Sequence, residues 1–142
     1  MRRTICERIH SDEVGFTTIE LLVVILIIGI MAVIALPAFL GQSSKSQDAS
    51  AKSDARNLAS QVDSCYQDRH AYNRCTSPQN TGLNLGNNPG EVEVKSATAH
   101  TYTVVGYSKS GNHFFIKKRR RGETTRTCDT AGKGSCRANG RW

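Results

Sequence analysis

The chain has 142 residues, about the size of one domain, which argues against a multidomain enzyme. Its net charge is +7, and the excess lies entirely beyond residue 60, with nine Lys or Arg against Glu123 and Asp129 in residues 117–142. Such a balance favours polyanionic surfaces or solubility and defines no fold. Apolar residues are 38% of the chain, yet that average hides a split. From Ile19 to Leu40 the sequence reads IELLVVILIIGIMAVIALPAFL with Glu20 as its one charge, and the rest is polar.

Three readings compete for residues 1–40. A secretory signal has a basic start, an apolar stretch of about 7–15 residues and an A-x-A-like cleavage site. The apolar run here is longer, and AVIALPAFLG holds no such site. A plain anchor needs about 20 apolar residues, which are present. It needs neither an acid at its edge nor a polar leader ending in glycine.

The third reading uses those extras. Gly15-Phe16-Thr17-Thr18-Ile19-Glu20-Leu21, followed by the aliphatic run, resembles the class III signal of type IV prepilins. The resemblance implies a leader over residues 1–15, cut after Gly15 by a prepilin peptidase. Phe16 would then become the N-methylated mature N-terminus, and Cys6 would leave with the leader. It also implies that Glu20 is the acid that pairs with the N-terminal amine of a neighbouring subunit. A carboxylate at bilayer depth is costly alone, and cleavage supplies an ammonium one helical turn away that neutralises it. Gly29 and Pro37 interrupt the run, and proline predicts a kink. By resemblance the two flank a stretch that loses helix in assembled filaments; both residues are also common in membrane helices.

After residue 40 the composition turns polar but the helical period persists. Ala51, Ala55, Leu58, Val62, Cys65 and Tyr66 recur at spacings of three and four on one face. This predicts an amphipathic continuation over 41–72 of the apolar assembly helix at 16–40. Residues 73–90, dense in Asn, Gly and Pro, read as loop. Alternation then predicts strands at Glu91–Val94, Thr101–Tyr107, His113–Lys117 and Glu123–Cys128, with a hairpin turn at Ser108–Asn112. Val94, Tyr102, Val104 and Phe114 or Phe115 are core candidates, and Trp142 is expected to cap the sheet edge or core. The expected fold class is α+β: a long N-terminal helix on a small antiparallel sheet head at 73–142, pilin-like.

Cys65, Cys75, Cys128 and Cys136 form an even set that suggests disulfides in an oxidising compartment. Three pairings are open. Cys65–Cys75 with Cys128–Cys136 is preferred because both close short loops, and zinc is disfavoured because no C-x-x-C spacing occurs. By resemblance, the second pair closes the C-terminal loop common in type IV pilins.

Little points to catalysis. His70, His100 and His113 are scattered, and the chain has neither G-x-S-x-G nor a phosphate-binding glycine loop, so no enzyme activity and no cofactor or metal is expected. Lys117, Lys118, Arg119, Arg120 and Arg121 are candidate DNA contacts, with Tyr102, Tyr107 and Phe115 as stacking faces if exposed. The resemblance implies a subunit held in the cell membrane by one span before assembly and in an extracellular pilus afterwards. Its expected partners are copies of itself in a helical homopolymer, the prepilin peptidase, the inner-membrane assembly machinery and, for a minor pilin, DNA. A type II secretion pseudopilin and a single-pass anchored receptor are the alternatives.

Overall fold

A computed structural model describes residues 15–142; residues 1–14, which hold most of the expected leader and Cys6, lie outside the described residues. The chain divides between Pro37 and Ala38 into two compact units. Helix α1 is assigned over Thr18–Arg69, without interruption at Gly29 or Pro37. A Cβ at Gly29 would meet nothing within 4 Å among the described residues.

In the second unit the sheet is a four-stranded antiparallel meander in the order β1 (Val92–Ala97), β2 (Tyr102–Tyr107), β3 (His113–Lys118) and β4 (Thr124–Cys128). The helical stripe Ala51, Ala55, Leu58 and Val62 is buried against it, as the three-and-four spacing predicts. Val92, Tyr102, Val104 and Ile116 join that core from the strands. The choice between the two phenylalanines falls to Phe114, which is fully buried, while Phe115 lies half-buried on the other face with Lys95 and Lys117 over its ring. Val94 is partly buried at the core's margin.

Gly106 sets how closely helix and sheet approach. A Cβ there would run into the Ala51 carbonyl oxygen and come within 3.3 Å of the Ala55 Cβ. Gly106→Val is therefore expected to destabilise the head by about 1–3 kcal/mol, because neither backbone can give way. A thermal melt of the full chain in detergent checks this, and an unchanged midpoint would show that the interface relaxes.

The helix stops three residues before the expected Tyr72. His70 takes a left-handed φ of 56°, and Tyr72–Arg74 form a separate 3-10 turn. Cys65 and Cys75 are bonded, tying that turn to the last turns of α1. Tyr66 stacks on Tyr72, whose ring meets Tyr102 edge-on with centroids 4.8 Å apart. Asp63 gathers this corner. It accepts the Tyr72 hydroxyl at 2.9 Å and the Tyr102 hydroxyl at 3.3 Å, and it pairs with Lys118 at 3.0 Å. Burial and the neighbouring Asp63 charge raise both phenols above their ordinary range.

The C-terminal segment is closed by a Cys128–Cys136 bond. Thr127 bridges Arg141 alongside β4, and the Trp142 indole N–H donates to the Thr127 carbonyl at 2.8 Å with its ring edge-on to Phe114. This places Trp142 against sheet edge and core together.

Among the described residues the head buries three polar side chains, Asp48, Ser108 and Asn112, of which Asp48 carries the charge. Asp48 is fully buried on the same helical stripe as Ala51 and Ala55. Its carboxylate accepts the Ser108 hydroxyl at 2.7 Å, the Ser110 hydroxyl, the Asn112 amide at 3.0 Å and the Ser135 N–H at 2.8 Å. One helical turn on, Lys52 donates to the Ser135 carbonyl at 2.8 Å. Helix, hairpin turn and disulfide loop thus meet at one carboxylate, which satisfies the rule that a buried charge must be fully bonded.

Candidate assembly site

The first turn of α1 carries a reciprocal cap. The Thr17 N–H and hydroxyl donate to Glu20 Oε2 at 2.9 and 2.7 Å, and the Glu20 N–H donates back to Thr17 Oγ1 at 3.3 Å. Thr17-Thr18-Ile19-Glu20 is thus a capping box, which satisfies orphan donors of a helix start and places an acid at its positive end. Both contacts of the carboxylate fall on Oε2, and no donor among the described residues reaches Oε1. One oxygen positions Glu20; the other is available to an outside donor.

Around that acid the surface is apolar. Phe16, Ile19, Val23 and Val24 line a shallow concavity with Glu20 among them. Every large apolar side chain from Phe16 to Leu40 is exposed, by 42–75%. A run of this length and apolarity meets the requirement for crossing a bilayer, and among the described residues none of its apolar window is buried. Gly15 and Phe16 lie just before the helix, outside regular secondary structure. Gly29 and Pro37 lie within the exposed run.

The other expected site residues fall in the second unit. The structure joins Cys65 to Cys75 and Cys128 to Cys136. It does not gather the basic run on one face. Lys117 is exposed on the open side of the sheet, Lys118 turns to the helix side and pairs with Asp63, and Arg119, Arg120 and Arg121 are exposed in the β3–β4 turn. Of the proposed stacking faces, Tyr102 is buried. Tyr107 donates its hydroxyl to Glu93 at 2.6 Å, and burial with that carboxylate lifts the phenol to about 12. Thr17 and Asp48 are the two residues the sequence reading passes over. Among the described residues no group of three His, Cys, Asp or Glu could hold a metal ion.

Two relatives match this chain. One is the type IV major pilin protein PilA of Myxococcus xanthus (strain DK1622), 33% identical over 116 residues, covering 76% of this chain and 53% of that protein. The other is the type IV major fimbrial protein FimA of Dichelobacter nodosus, 32% identical over 91 residues, covering 64% of this chain and 58% of that protein. The chain thus spans somewhat more than half the length of each relative. No family model matches, and no solved structure matches. The junction motif, the helix-on-sheet fold and these two relatives together place the chain in the type IV pilin family.

Proposed function

We propose that this pilin is a structural subunit of a type IV pilus, made as a membrane-anchored precursor, clipped between Gly15 and Phe16, and N-methylated at Phe16. The observation that carries the reading is the exposed apolar face from Phe16 to Leu40 with the capped Glu20 at its start. A surface this apolar needs an apolar environment: lipid before assembly, and the same faces of neighbouring helices afterwards. Prepilin peptidase and the inner-membrane assembly machinery act on it in turn, and the product is an extracellular fibre for motility, adhesion or DNA uptake. Its mechanism is assembly without a reaction of its own.

Glu20 directs docking. Cleavage creates an ammonium at Phe16, and the open Oε1 of Glu20 on an adjacent subunit receives it, which sets axial register as well as attraction. Gly29 to Pro37 is the stretch where helix is given up as the subunit leaves the bilayer, since proline there already forgoes one backbone bond. Intact-mass and N-terminal analysis of purified fibre subunits is expected to show methylated Phe16 as the first residue. Subunits beginning at Met1 in assembled fibres would refute the maturation step.

A further inference from the structure

The end of the head where α1 enters carries an unmatched positive rim. Within the second unit, Phe39 and Leu40 are the last exposed side chains of the apolar run, and Lys45 follows Leu40 by about 7.5 Å of helix. Asp48 lies about 12 Å beyond Leu40 on the same helix, and the two segments that meet there each add a lysine. Lys109 stands between Ser108 and Ser110, both of which donate to Asp48. It lines a groove with Ser46, Gln47, Ser50 and Ala51, residues on either side of Asp48 in α1. Lys133 lies just before Ser135, whose N–H donates to Asp48, and its carbonyl accepts the Asn112 amide at 3.5 Å. Helix, hairpin turn and disulfide loop thus each present one lysine near a single level.

All three lysines are exposed, and none is in an ion pair among the described residues. The acids on the same segments are engaged elsewhere. Asp48 is surrounded by its donors, Asp129 pairs with His113 at 3.1 Å, and Glu91 accepts both Asn88 nitrogens at 2.8 and 3.0 Å. The height of the rim along the helix gives it a partner. From Glu20 to Leu40 the helix is about 30 Å long, the depth of one hydrocarbon core. An anchored subunit with Glu20 at one boundary therefore has Leu40 at the other, and the polar layer beyond is about 5–8 Å deep. Lys45 falls in that layer directly. Lys109 and Lys133 start above it, and their flexible stems let the ammonium groups drop into it. Three compact cations at phosphate level are matched by headgroups whose negative charge is not cancelled by a choline.

We propose that the near end of the head rests on the bilayer surface while the subunit is anchored, with Lys45, Lys109 and Lys133 binding the phosphates of anionic phospholipids. The inference rests on the membrane-anchored precursor proposed above. The contact fixes the height and orientation of the head over one leaflet, and it is given up when the subunit leaves the bilayer.

The test is a lysine acetylation footprint of the full chain in vesicles of phosphatidylcholine, alone or mixed with phosphatidylglycerol. A membrane-impermeant reagent labels the outward-facing heads, and mass spectrometry reads each site. Acetylation at Lys45, Lys109 and Lys133 is expected to be slowed roughly threefold or more by the anionic lipid, and the protection to fade in high salt. Lys95 and Lys117, beside Phe115 on the open face of the sheet, are expected to react alike in both vesicles. Equal rates at the three rim lysines in the two vesicles would overturn the proposal. Equal slowing of all five would show surface potential alone and overturn it too, as would the same slowing by inorganic phosphate added to neutral vesicles. Carbonate extraction of the same vesicles separates the two readings. A chain stripped by carbonate refutes the anchor and this contact with it, whereas a chain that stays embedded without selective protection refutes the headgroup contact alone.

Discussion

Glu20→Ala is expected to leave the protein processed and membrane-bound while cutting fibre yield by roughly tenfold or more, because the Phe16 ammonium of each docking subunit then enters an apolar bundle unpaired. The same change removes an acid from the edge of the apolar run, so the variant sits in the bilayer more comfortably than wild type and has less reason to leave it. Loss of the helix cap is a competing explanation, since Thr17 and Glu20 cap each other. Glu20→Gln separates the two. Glutamine at that position still completes a capping box but brings no charge. If the carboxylate acts through charge, alanine and glutamine both abolish fibres; if it acts as a cap, glutamine restores them. Sheared-fibre yield against total membrane-bound subunit is the measurement.

The second large effect concerns the head. Asp48→Ala leaves Ser108, Ser110, Asn112 and the Ser135 N–H without their shared acceptor, and is expected to cost about 3–5 kcal/mol, enough to lower the melting midpoint by roughly 10–20 °C. Asp48→Asn keeps the volume but turns one oxygen into a donor facing other donors, so it too destabilises, by about 2–4 kcal/mol. The pH dependence has a definite sign. Burial pushes the Asp48 carboxyl up, but the hydrogen bonds from Ser110, Ser135, Ser108 and Asn112 outweigh it and hold the group below the usual carboxylate range. A carboxyl with a lowered folded-state value stabilises fully above its ordinary value of about 4, and that contribution fades as pH falls through the folded value. Wild type therefore loses stability below about pH 4 more steeply than Asp48→Asn does. Melts across pH 2–7 with matched slopes would show that Asp48 is not the titrating latch.

How much of this was legible in the sequence depended on whether the signal was local. The apolar run, the helical stripe from Ala51 to Val62 and the alternation of the last three strands each report on their own element, and the element follows from them. Asp48 was missed because its neighbours, SSKSQDAS, look like a solvated helix surface. Yet extending the stripe back three residues from Ala51 reaches it, and a charge on a buried face is itself a flag. The Thr17-x-x-Glu20 spacing is equally plain, but the cleavage motif that contains it masks its capping role. The basic run does not form one patch, for a geometric reason. Strand period sends Lys117 and Lys118 to opposite faces, while Arg126, Arg137 and Arg141, scattered in sequence, come together when the chain after Cys136 returns along β4. Pairing across a sheet edge is non-local, and composition carries no trace of it. The end of α1 fell short of expectation because His70 leaves helical geometry where the Cys65–Cys75 bond turns the chain back.

In the proposed docking step, proteolysis makes an ammonium which a capped acid on the next subunit receives. High-resolution electron microscopy of assembled fibres tests it most directly. The expected map begins at Phe16 and places its nitrogen within about 4 Å of the Glu20 carboxylate of an adjacent subunit, the range of an ion pair. A Glu20 side chain turned to water or without a cationic neighbour, or density continuing through Gly15 into an uncut leader, would contradict the account.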